Sequence, residues 1–160
     1  GDIMNSLCDS IMIGCNPIRV SSLQLAAEKA AGPDWARALH AEKPERRPGE
    51  AWRMGAGGLP YPHVYLSMTP IWDGNVWNEE KLLIHCYKNT MEIIDILNIK
   101  SVAIPLLGTG NHRFPDQRAI RLAVQSCIEY APQGVEKIKF TAIDPEIYAL
   151  TQTRLARELD

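Results

Sequence analysis

The segment that most constrains the fold is residues 104–115, which read IPLLGTGNHRFP. An apolar run stops at Gly108, Thr109 and Gly110. A helical pattern then starts at Pro115, so the order is strand, glycine turn and helix N-terminus. Glycines without Cβ atoms let the backbone turn tightly and approach a ligand, while turn N–H groups and the helix dipole favour an anion. The segment therefore predicts a cradle for a phosphate group, as in a nucleotide-like ligand.

Apolar strands and helical patterns alternate along the rest of the chain. The strands lack a clean polar and apolar alternation, which is typical of a sheet buried on both faces. The pattern therefore predicts an α/β fold. Strands are predicted at residues 10–15, 51–54 (an edge strand), 63–68, 101–107 and 138–143, and helices at residues 23–31, 78–98, 116–130 and 145–155.

Capping residues predict where two of these helices begin and end. Ser21 and Ser22 are N-cap candidates for the helix over residues 23–31, and a glycine followed by Pro33 is predicted to end it. Asn78 is the predicted N-cap of the long helix, because an asparagine side chain can accept a hydrogen bond from a first-turn N–H group.

Composition limits the classes of function. At 160 residues the chain is predicted to form one domain, residues 1–160, with a sizeable core. A formal charge of −2 gives no basis for non-specific nucleic-acid binding. The four cysteines match no zinc-ligand spacing and lie beside apolar residues, so we expect buried, reduced thiols and a cytoplasmic or nuclear compartment. No apolar run approaches the roughly 20 residues of a membrane span, and a first residue other than Met suggests a piece of a longer protein.

Three further segments accompany the glycine turn. The chain opens with GDI, residues 9–16 read DSIMIGCN, and residues 59–72 read LPYPHVYLSMTPIW. Together with the turn, these segments resemble four motifs of the macrodomain family, whose members bind ADP-ribose and in some cases hydrolyse its derivatives. The resemblance spans essentially the whole chain. It implies a three-layer α/β/α fold with a central mixed, mostly parallel sheet, whose first edge strand is expected to be truncated here.

The resemblance also implies individual roles. Asp2, beside Ile3, resembles the acid that hydrogen-bonds the adenine amino group, and Asn16 resembles the asparagine that faces the distal ribose. The alternatives are a solvated terminus for Asp2 and a turn cap for Asn16. The position of Ile143 resembles the one that covers the adenine. The residues implied to bind the ligand are Asp2, Ile3, Asn16, Val20, Ser21, Ser22, Gly108, Thr109, Gly110, Asn111, His112, Arg113, Phe114, Ile143 and Asp144.

The first phosphate loop departs from the family pattern. Residues 18–24 (IRVSSLQ) stand where many members carry several glycines, followed in hydrolases by an acid. Three arrangements stay open: hydroxyl and N–H groups of Ser21 and Ser22 contact the phosphates, Arg19 supplies charge, or the pocket no longer admits ADP-ribose. Glu28 is placed within the helix, so we do not expect hydrolysis by the usual loop-one acid.

The second phosphate loop departs as well. Asn111, His112 and Arg113 stand where the family commonly has an aliphatic residue, an aromatic residue and a glycine. Our hypothesis is that Arg113 engages the diphosphate and His112 the ribose, and the alternative is that Arg113 points to solvent. These substitutions make this end of the expected cleft more polar.

Three functions follow from the resemblance. The favoured one is a binding module for ADP-ribose or a derivative, free or protein-linked, in a cleft between two loops at strand ends. The second is an ADP-ribosyl hydrolase or O-acetyl-ADP-ribose deacetylase, for which no catalytic residue is assigned. The third is an interaction scaffold with a closed pocket. The expected partner is ADP-ribose or an ADP-ribosylated protein, and no cofactor, metal, nucleic acid or membrane contact is expected.

Overall fold

The computed structural model describes residues 7–42, 45–142 and 144–159, which form both strands and helices. Among these described residues, no helix is long and apolar enough to cross a lipid bilayer. The α/β prediction is confirmed. The strands are β1 (Ser10–Cys15), β2 (Ala51–Met54), β3 (His63–Met68), β4 (Ser101–Pro105) and β5 (Lys137–Thr141), and the helices are α1 (Ser22–Ala31), α2 (Pro33–Glu42), α3 (Glu79–Ile96), α4 (Asp116–Tyr130) and α5 (Pro145–Leu159).

The five strands form one mixed sheet in the order β2-β3-β1-β4-β5. Strand β2 pairs antiparallel with β3, and the other pairings are parallel. The register places Ser10 of β1 opposite His63 of β3 and Val102 of β4. Because parallel strands end at the same edge of the sheet, the loops that follow β1, β4 and β5 meet there. The predicted mixed, mostly parallel sheet is confirmed.

Both faces of the sheet are covered by helices. Neighbouring residues of β1 contribute to different cores: Ile11 and Ile13 pack in one cluster with Leu39 of α2, and Met12 packs in the other with Tyr87 of α3. All six residues of β1 are buried. The three-layer arrangement therefore follows from strands that are apolar on both sides.

Helix α2 was not predicted, because Pro33 was interpreted as the end of α1. The structure places Pro33 at the first position of α2, where a proline needs no N–H partner and already has a helical φ. Trp35 and Leu39 are buried on the inner face of this helix. The Trp35 indole donates a hydrogen bond to the Gly55 carbonyl at 2.7 Å, which anchors α2 to the segment after β2.

The predicted capping role of Asn78 was wrong. Asn78 lies at the N-cap position of α3 but adopts a left-handed conformation and makes no side-chain capping bond. The Asn75 side chain instead accepts from the Glu80 N–H at 3.1 Å. Glu79, which is 1% exposed, accepts from the Trp77 N–H at 2.7 Å. Two other side chains thus fix the start of this helix.

Several element boundaries also differ from the prediction: α1 and α3 differ by one or two residues at an end, and β5 spans Lys137–Thr141 rather than residues 138–143. Strand β4 ends at Pro105, earlier than the predicted residue 107, because the Leu107 N–H turns out of the ladder to the Pro105 carbonyl and the Tyr87 hydroxyl. Helix α5 continues to Leu159, beyond the predicted residue 155. Helix α4, which follows the glycine turn, has the predicted bounds.

The four cysteines are buried and none forms a disulfide, which confirms their predicted burial. Burial raises the pKa of Cys86 to about 12, and its thiol donates to the Met68 carbonyl at 3.3 Å. Burial also raises the pKa of Cys127. Thiols of this kind carry almost no thiolate at neutral pH, so they act as packing groups.

Candidate functional site

A cavity of about 650 Å³ opens at the edge of the sheet where β1, β4 and β5 end. This volume is in the range of small-molecule sites. We call residues 16–21, between β1 and α1, loop one, and residues 106–115, between β4 and α4, loop two. The cavity has three walls: the start of α1, loop two, and the β5–α5 connection. The last wall consists of Thr141, Ala142, Asp144 and Ile147.

The start of α1 presents backbone N–H groups to the cavity. Ser21 is the N-cap, and its hydroxyl accepts from the Gln24 N–H at 3.1 Å and donates to the Gly14 carbonyl at 3.2 Å. The Leu25 N–H donates to the Ser21 carbonyl. Within the described residues, the N–H groups of Ser22 and Leu23 have no partner, and both residues line the cavity. The positive end of the helix dipole therefore faces the cavity.

Loop two presents a second set of N–H groups. Its shape is fixed by hydrogen bonds from the Phe114 N–H to the Gly108 carbonyl at 2.9 Å and from the Arg113 N–H to the Gly110 carbonyl at 3.0 Å. No partner in the described part of the chain accepts from the N–H groups of Gly108, Gly110 and Asn111. These residues line the same cavity as the start of α1, so N–H donors from both segments border it.

Gly108 is required by both conformation and space. Its φ is +91°, and a Cβ atom there would lie 2.8 Å from Cδ1 of Phe114. Phe114 is buried and packs on Trp72, with ring centroids 5.0 Å apart. The ring therefore has little room to move. Loop two keeps its tight turn only with glycine at this position.

Tyr87 of α3 forms hydrogen bonds where loop two begins. It is fully buried, and burial holds its pKa well above the usual value. Its hydroxyl accepts from the Leu107 N–H at 2.9 Å and donates to the Pro105 carbonyl at 3.4 Å. One hydroxyl thus fixes the point where β4 ends and loop two begins.

We expect Tyr87→Phe to lower stability without unfolding the protein. The change leaves the Leu107 N–H with only its longer bond to Pro105, so we expect a loss of about 1–2 kcal/mol and a melting temperature lower by roughly 2–6 °C. Thermal denaturation of the variant and of wild type measures the change in melting temperature. Tyr148→Phe is the matched control, since Tyr148 is 45% exposed and should have almost no effect. Equal melting temperatures for the two variants would remove the support assigned to Tyr87.

Two hydrogen bonds join loop two to loop one across the cleft. The Asn111 side-chain amide donates to the Val20 carbonyl at 3.0 Å, and Nε2 of His112 donates to the Arg19 carbonyl at 2.9 Å. We call this pair of bonds the latch. His112 is 3% exposed, and its own carbonyl accepts from the Trp72 N–H at 2.7 Å. The latch is therefore anchored to the segment after β3.

We expect stability to decrease below neutral pH because of His112. Burial lowers the pKa of His112, the bond to the Arg19 carbonyl raises it, and the Arg19 charge lowers it further. As the pH falls below about 6.5, the unfolded chain binds a proton that the folded protein does not, so the free energy of unfolding falls. Urea unfolding at a series of pH values, for wild type and His112→Gln, measures this effect. A slope that is the same in both proteins contradicts the assignment to His112.

The Asn16 side chain forms hydrogen bonds within the protein. It is 5% exposed, its amide donates to the Thr69 carbonyl at 2.8 Å, and its Oδ1 accepts from the N–H groups of Ile18 and Arg19 at 2.9 and 3.2 Å. This is the turn-capping arrangement that the sequence left open as an alternative. The predicted contact with a ribose stays a prediction.

The cavity brings together many of the residues predicted from the sequence. Asn16, Val20 and Arg113 are not among its lining residues, and Arg113 is exposed. Asp2, Ile3 and Ile143 lie outside the described residues. The predicted residues that line the cavity are Ser21, Ser22, Gly108, Thr109, Gly110, Asn111, His112, Phe114 and Asp144.

Sequence reasoning missed another part of the lining. Most of these residues stand at or just after the ends of β1, β4 and β5, which is the edge where ligands bind in open α/β sheets. That rule could have identified them once the strands were assigned. They are Gly14, Leu23, Pro105, Leu106, Leu107, Asp116, Thr141, Ala142 and Ile147.

The charged side chains on the cavity wall are both acidic. Asp116 begins α4, and Asp144 accepts from the Glu146 N–H at 2.9 Å at the start of α5. Among the described lining residues there is no lysine or arginine. The described residues also contain no cluster of three or more His, Cys, Asp or Glu side chains suited to a metal ion. An anion in this cavity would therefore be held by backbone N–H groups rather than by side-chain cations.

Sequence comparison identifies relatives that match most of the length of this chain. The sequence model of the Macro domain matches residues 21–123. A macro domain-containing protein of Caldanaerobacter subterraneus subsp. tengcongensis is 31% identical over 158 residues, covering 93% of this chain and 90% of the relative. An O-acetyl-ADP-ribose deacetylase of Citrobacter rodentium is 30% identical over 167 residues, covering 100% of this chain and 94% of the relative.

Solved structures share the fold. The Oceanobacillus iheyensis macrodomain with ADP superposes with a TM-score of 0.90 at 23% identity, covering 99% of this chain and 88% of that one. A mutant of the same macrodomain with ADPR gives a TM-score of 0.90 at 23% identity, covering 99% and 90%. The architecture derived above from the strands and helices is thus that of these structures.

Proposed function

Since this chain belongs to the Macro domain family, we propose that it binds ADP-ribose or an ADP-ribose derivative, free or attached to a protein, in the cavity between loop one and loop two. Two sets of N–H groups without partners among the described residues, at the start of α1 and in loop two, line the same cavity and support this proposal most directly. A diphosphate is the part of ADP-ribose that needs donors on two sides.

The diphosphate is proposed to lie between the two sets of donors. On the α1 side these are the N–H groups of Ser22 and Leu23, since the Ser21 hydroxyl is already bonded on both sides. On the other side they are the N–H groups of Gly108 and Gly110. Loop one therefore needs neither glycines nor the Arg19 side chain for this contact, because the helix start replaces them.

The adenosine is proposed to lie at the β5–α5 wall. Ile147 is 8% exposed and Leu106 5% exposed, and both line the cavity with Ala142. Apolar side chains of this kind can cover a purine, and the Asp144 carboxylate at the same wall can accept from an amino group. This orientation leaves the other end of the ligand on the side of the latch.

Calorimetry and thermal denaturation with ADP-ribose test the proposal. We expect measurable heat and, at about 100 times the Kd, a gain of roughly 2.7 kcal/mol in the free energy of unfolding, which raises the melting temperature by several degrees. Adenosine without phosphates is the matched control and should give a much smaller shift. If millimolar ADP-ribose gives no heat, the chain does not bind it, and the interaction scaffold becomes the favoured function.

Deacetylation of O-acetyl-ADP-ribose is the second candidate, because relatives that cover 98% and 100% of this chain are named O-acetyl-ADP-ribose deacetylase. Such an activity needs a group that positions the attacking water. The described part of loop one offers no carboxylate, and the Glu28 side chain of α1 is bonded to Gln24 at 3.3 Å and to His40 at 2.6 Å. Binding without hydrolysis is therefore the favoured function.

Incubation with O-acetyl-ADP-ribose and with ADP-ribosylated protein separates the two candidates. We expect no release of acetate or ADP-ribose above the rate without protein. If release is seen, Asp116→Asn and Asp144→Asn identify the group responsible, since these are the carboxylates that line the cavity. Activity in the wild type that is lost in either variant would establish the enzyme.

A further inference from the structure

We propose that a second pocket, between α4 and α5, binds a phosphate group. Its volume is about 90 Å³, which is far below that of nucleotide-sized sites. A space of roughly three water molecules is room for one such group. The pocket shares no lining residue with the cavity described above, and the inference is independent of the proposed function. Its lining residues are Gln117, Ile120, Leu150, Thr153, Arg154 and Arg157.

The pocket lies along the seam between α4 and α5. On α4, Ile120 of the pocket follows Asp116 of the cavity by one helical turn. On α5, Leu150 of the pocket follows Ile147 of the cavity by one turn. Side chains at these spacings are neighbours on a helix surface. The pocket therefore adjoins the cavity, although different side chains form it.

The charged side chains that line this pocket are Arg154 and Arg157, whereas those that line the cavity are both acidic. The two arginines are three residues apart on α5, so they extend from neighbouring positions on one helix face. A guanidinium group has several N–H donors and no acceptor. A phosphate group, with its three acceptor oxygens and about two negative charges, offers more acceptors to two such groups than a carboxylate does.

Arg154 is mostly buried, but few of its donors are bonded. Its side chain is 17% exposed, and among the described residues it forms one ion pair, from Nη1 to Glu158 at 3.2 Å. The same Glu158 oxygen also accepts from the Gln125 side chain of α4 at 3.0 Å. Donors of a mostly buried guanidinium are stabilised by an acceptor that reaches them. The other N–H groups of Arg154 therefore favour an acceptor in the pocket.

Arg157 adds a charge that no neighbouring carboxylate neutralises. It is exposed, and no carboxylate of the described residues forms an ion pair with it. Glu158, the next residue along the chain, is bonded to Arg154 and Gln125 instead and does not line the pocket. The lining therefore carries a net positive charge, which favours an anion.

The remaining lining residues complete the pocket. Ile120 is 1% exposed and Leu150 is half-buried, so part of the surface beside the arginines is apolar. Charges act more strongly beside apolar groups than in open water. The Gln117 side chain bonds no other described residue and can donate an amide N–H. The Thr153 hydroxyl is occupied as a donor by the Ala149 carbonyl at 3.1 Å, so the donors for a phosphate are the two arginines and Gln117.

An NMR titration with inorganic phosphate tests the site. We expect the backbone amide signals of Thr153, Arg154 and Arg157 to shift and to reach saturation, and sodium chloride at the same ionic strength to have no such effect. The amide signals of Gly108 and Gly110 report phosphate in the cavity, so the two sites are observed separately. If the α5 signals do not saturate, or if chloride reproduces their shifts, the inference is overturned.

Arg157→Ala should weaken phosphate binding at this pocket alone. We expect the Kd from the α5 signals to rise by at least about fivefold, because a charge-assisted contact is lost, and the Kd from the cavity signals to stay the same. Arg37→Ala is the matched control, since it removes an exposed arginine of α2 that pairs with Asp34 and changes the net charge equally. Equal effects of the two variants would show that net charge alone matters, and they overturn the site.

Arg154→Lys tests the second arginine. Lysine keeps the charge but lacks the planar fork of donors, so we expect a Kd for phosphate raised by at least about threefold. Because Arg154 is mostly buried, the fold of this variant is checked by its amide spectrum. An unchanged Kd in the folded variant, together with an unchanged Kd in Arg157→Ala, overturns the inference.

Methyl phosphate separates two sources of the phosphate group. If its Kd lies within about threefold of that of inorganic phosphate, the pocket recognises the phosphate group of a larger molecule. If methyl phosphate does not bind while inorganic phosphate does, the pocket takes the free ion. Both results retain the site, and neither depends on whether ADP-ribose binds in the cavity. Failure of the proposed function and failure of this inference are therefore distinguishable.

Discussion

We expect Ser22→Pro to weaken ADP-ribose binding strongly while leaving the fold intact. Ser22 is the first residue of α1, and Ser21 before it has φ −76° and ψ 157°, which is the conformation that a following proline requires. A proline at this position fits the helix, but its ring replaces the N–H group that faces the cavity. Loss of a hydrogen bond to a phosphate corresponds to a Kd raised by roughly 10- to 100-fold.

Ser22→Ala is the control for this change. It keeps the N–H group and removes only the hydroxyl of an exposed side chain, so its Kd should change by less than about threefold. Calorimetry gives both constants, and thermal denaturation should show that the proline variant is at least as stable as wild type. If the two variants bind ADP-ribose equally well, the start of α1 does not hold the phosphates.

The second large effect is expected for Gly108→Ala, which should destabilise the protein. A Cβ atom at this position lies 2.8 Å from Cδ1 and 2.9 Å from Cγ of Phe114, in a backbone with φ of +91°. Strain from the positive φ and displacement of a packed ring together cost about 2–5 kcal/mol. Urea unfolding should show this decrease in the free energy of unfolding, and the melting temperature should fall by roughly 5–15 °C.

Gly110→Ala separates the two causes. Gly110 also has a positive φ, +74°, but nothing lies within 4 Å of the added Cβ atom. Only the conformational term applies, so we expect a loss of about 1–2 kcal/mol. If Gly110→Ala lowers the free energy of unfolding as much as Gly108→Ala does, then Phe114 moves aside in the Gly108 variant and packing in loop two contributes little to stability.

The architecture follows from local patterns in the sequence. The bounds of α4 were predicted correctly because Pro115 and the apolar spacing that follows it mark a helix without reference to the rest of the chain. Helix α2 was missed because Pro33 can end one helix or begin the next. The buried positions of Trp35 and Leu39 decide between the two, and burial depends on the packed structure.

The sequence predicted ligand-binding residues in both loops, but it did not predict the hydrogen bonds that join the two loops. The glycine turn and the cap at Ser21 are local features, so sequence reasoning could place donors at both walls. The bonds of Asn111 and His112 reach backbone carbonyls more than ninety residues earlier in the chain. A backbone carbonyl has no signature in the sequence. Only the packed loops show that these polar side chains hold loop one.

The acidic wall of the cavity has a consequence for the rate of encounter with a ligand. The charged side chains on the described wall are Asp116 and Asp144, and the attraction of N–H dipoles for an anion acts only over short distances. Nothing on this wall draws a negatively charged ligand from afar, as a ring of lysines and arginines would. Added salt should therefore leave association unchanged or make it slightly faster, since it screens repulsion. Affinity at this site should be governed by slow dissociation rather than by fast capture.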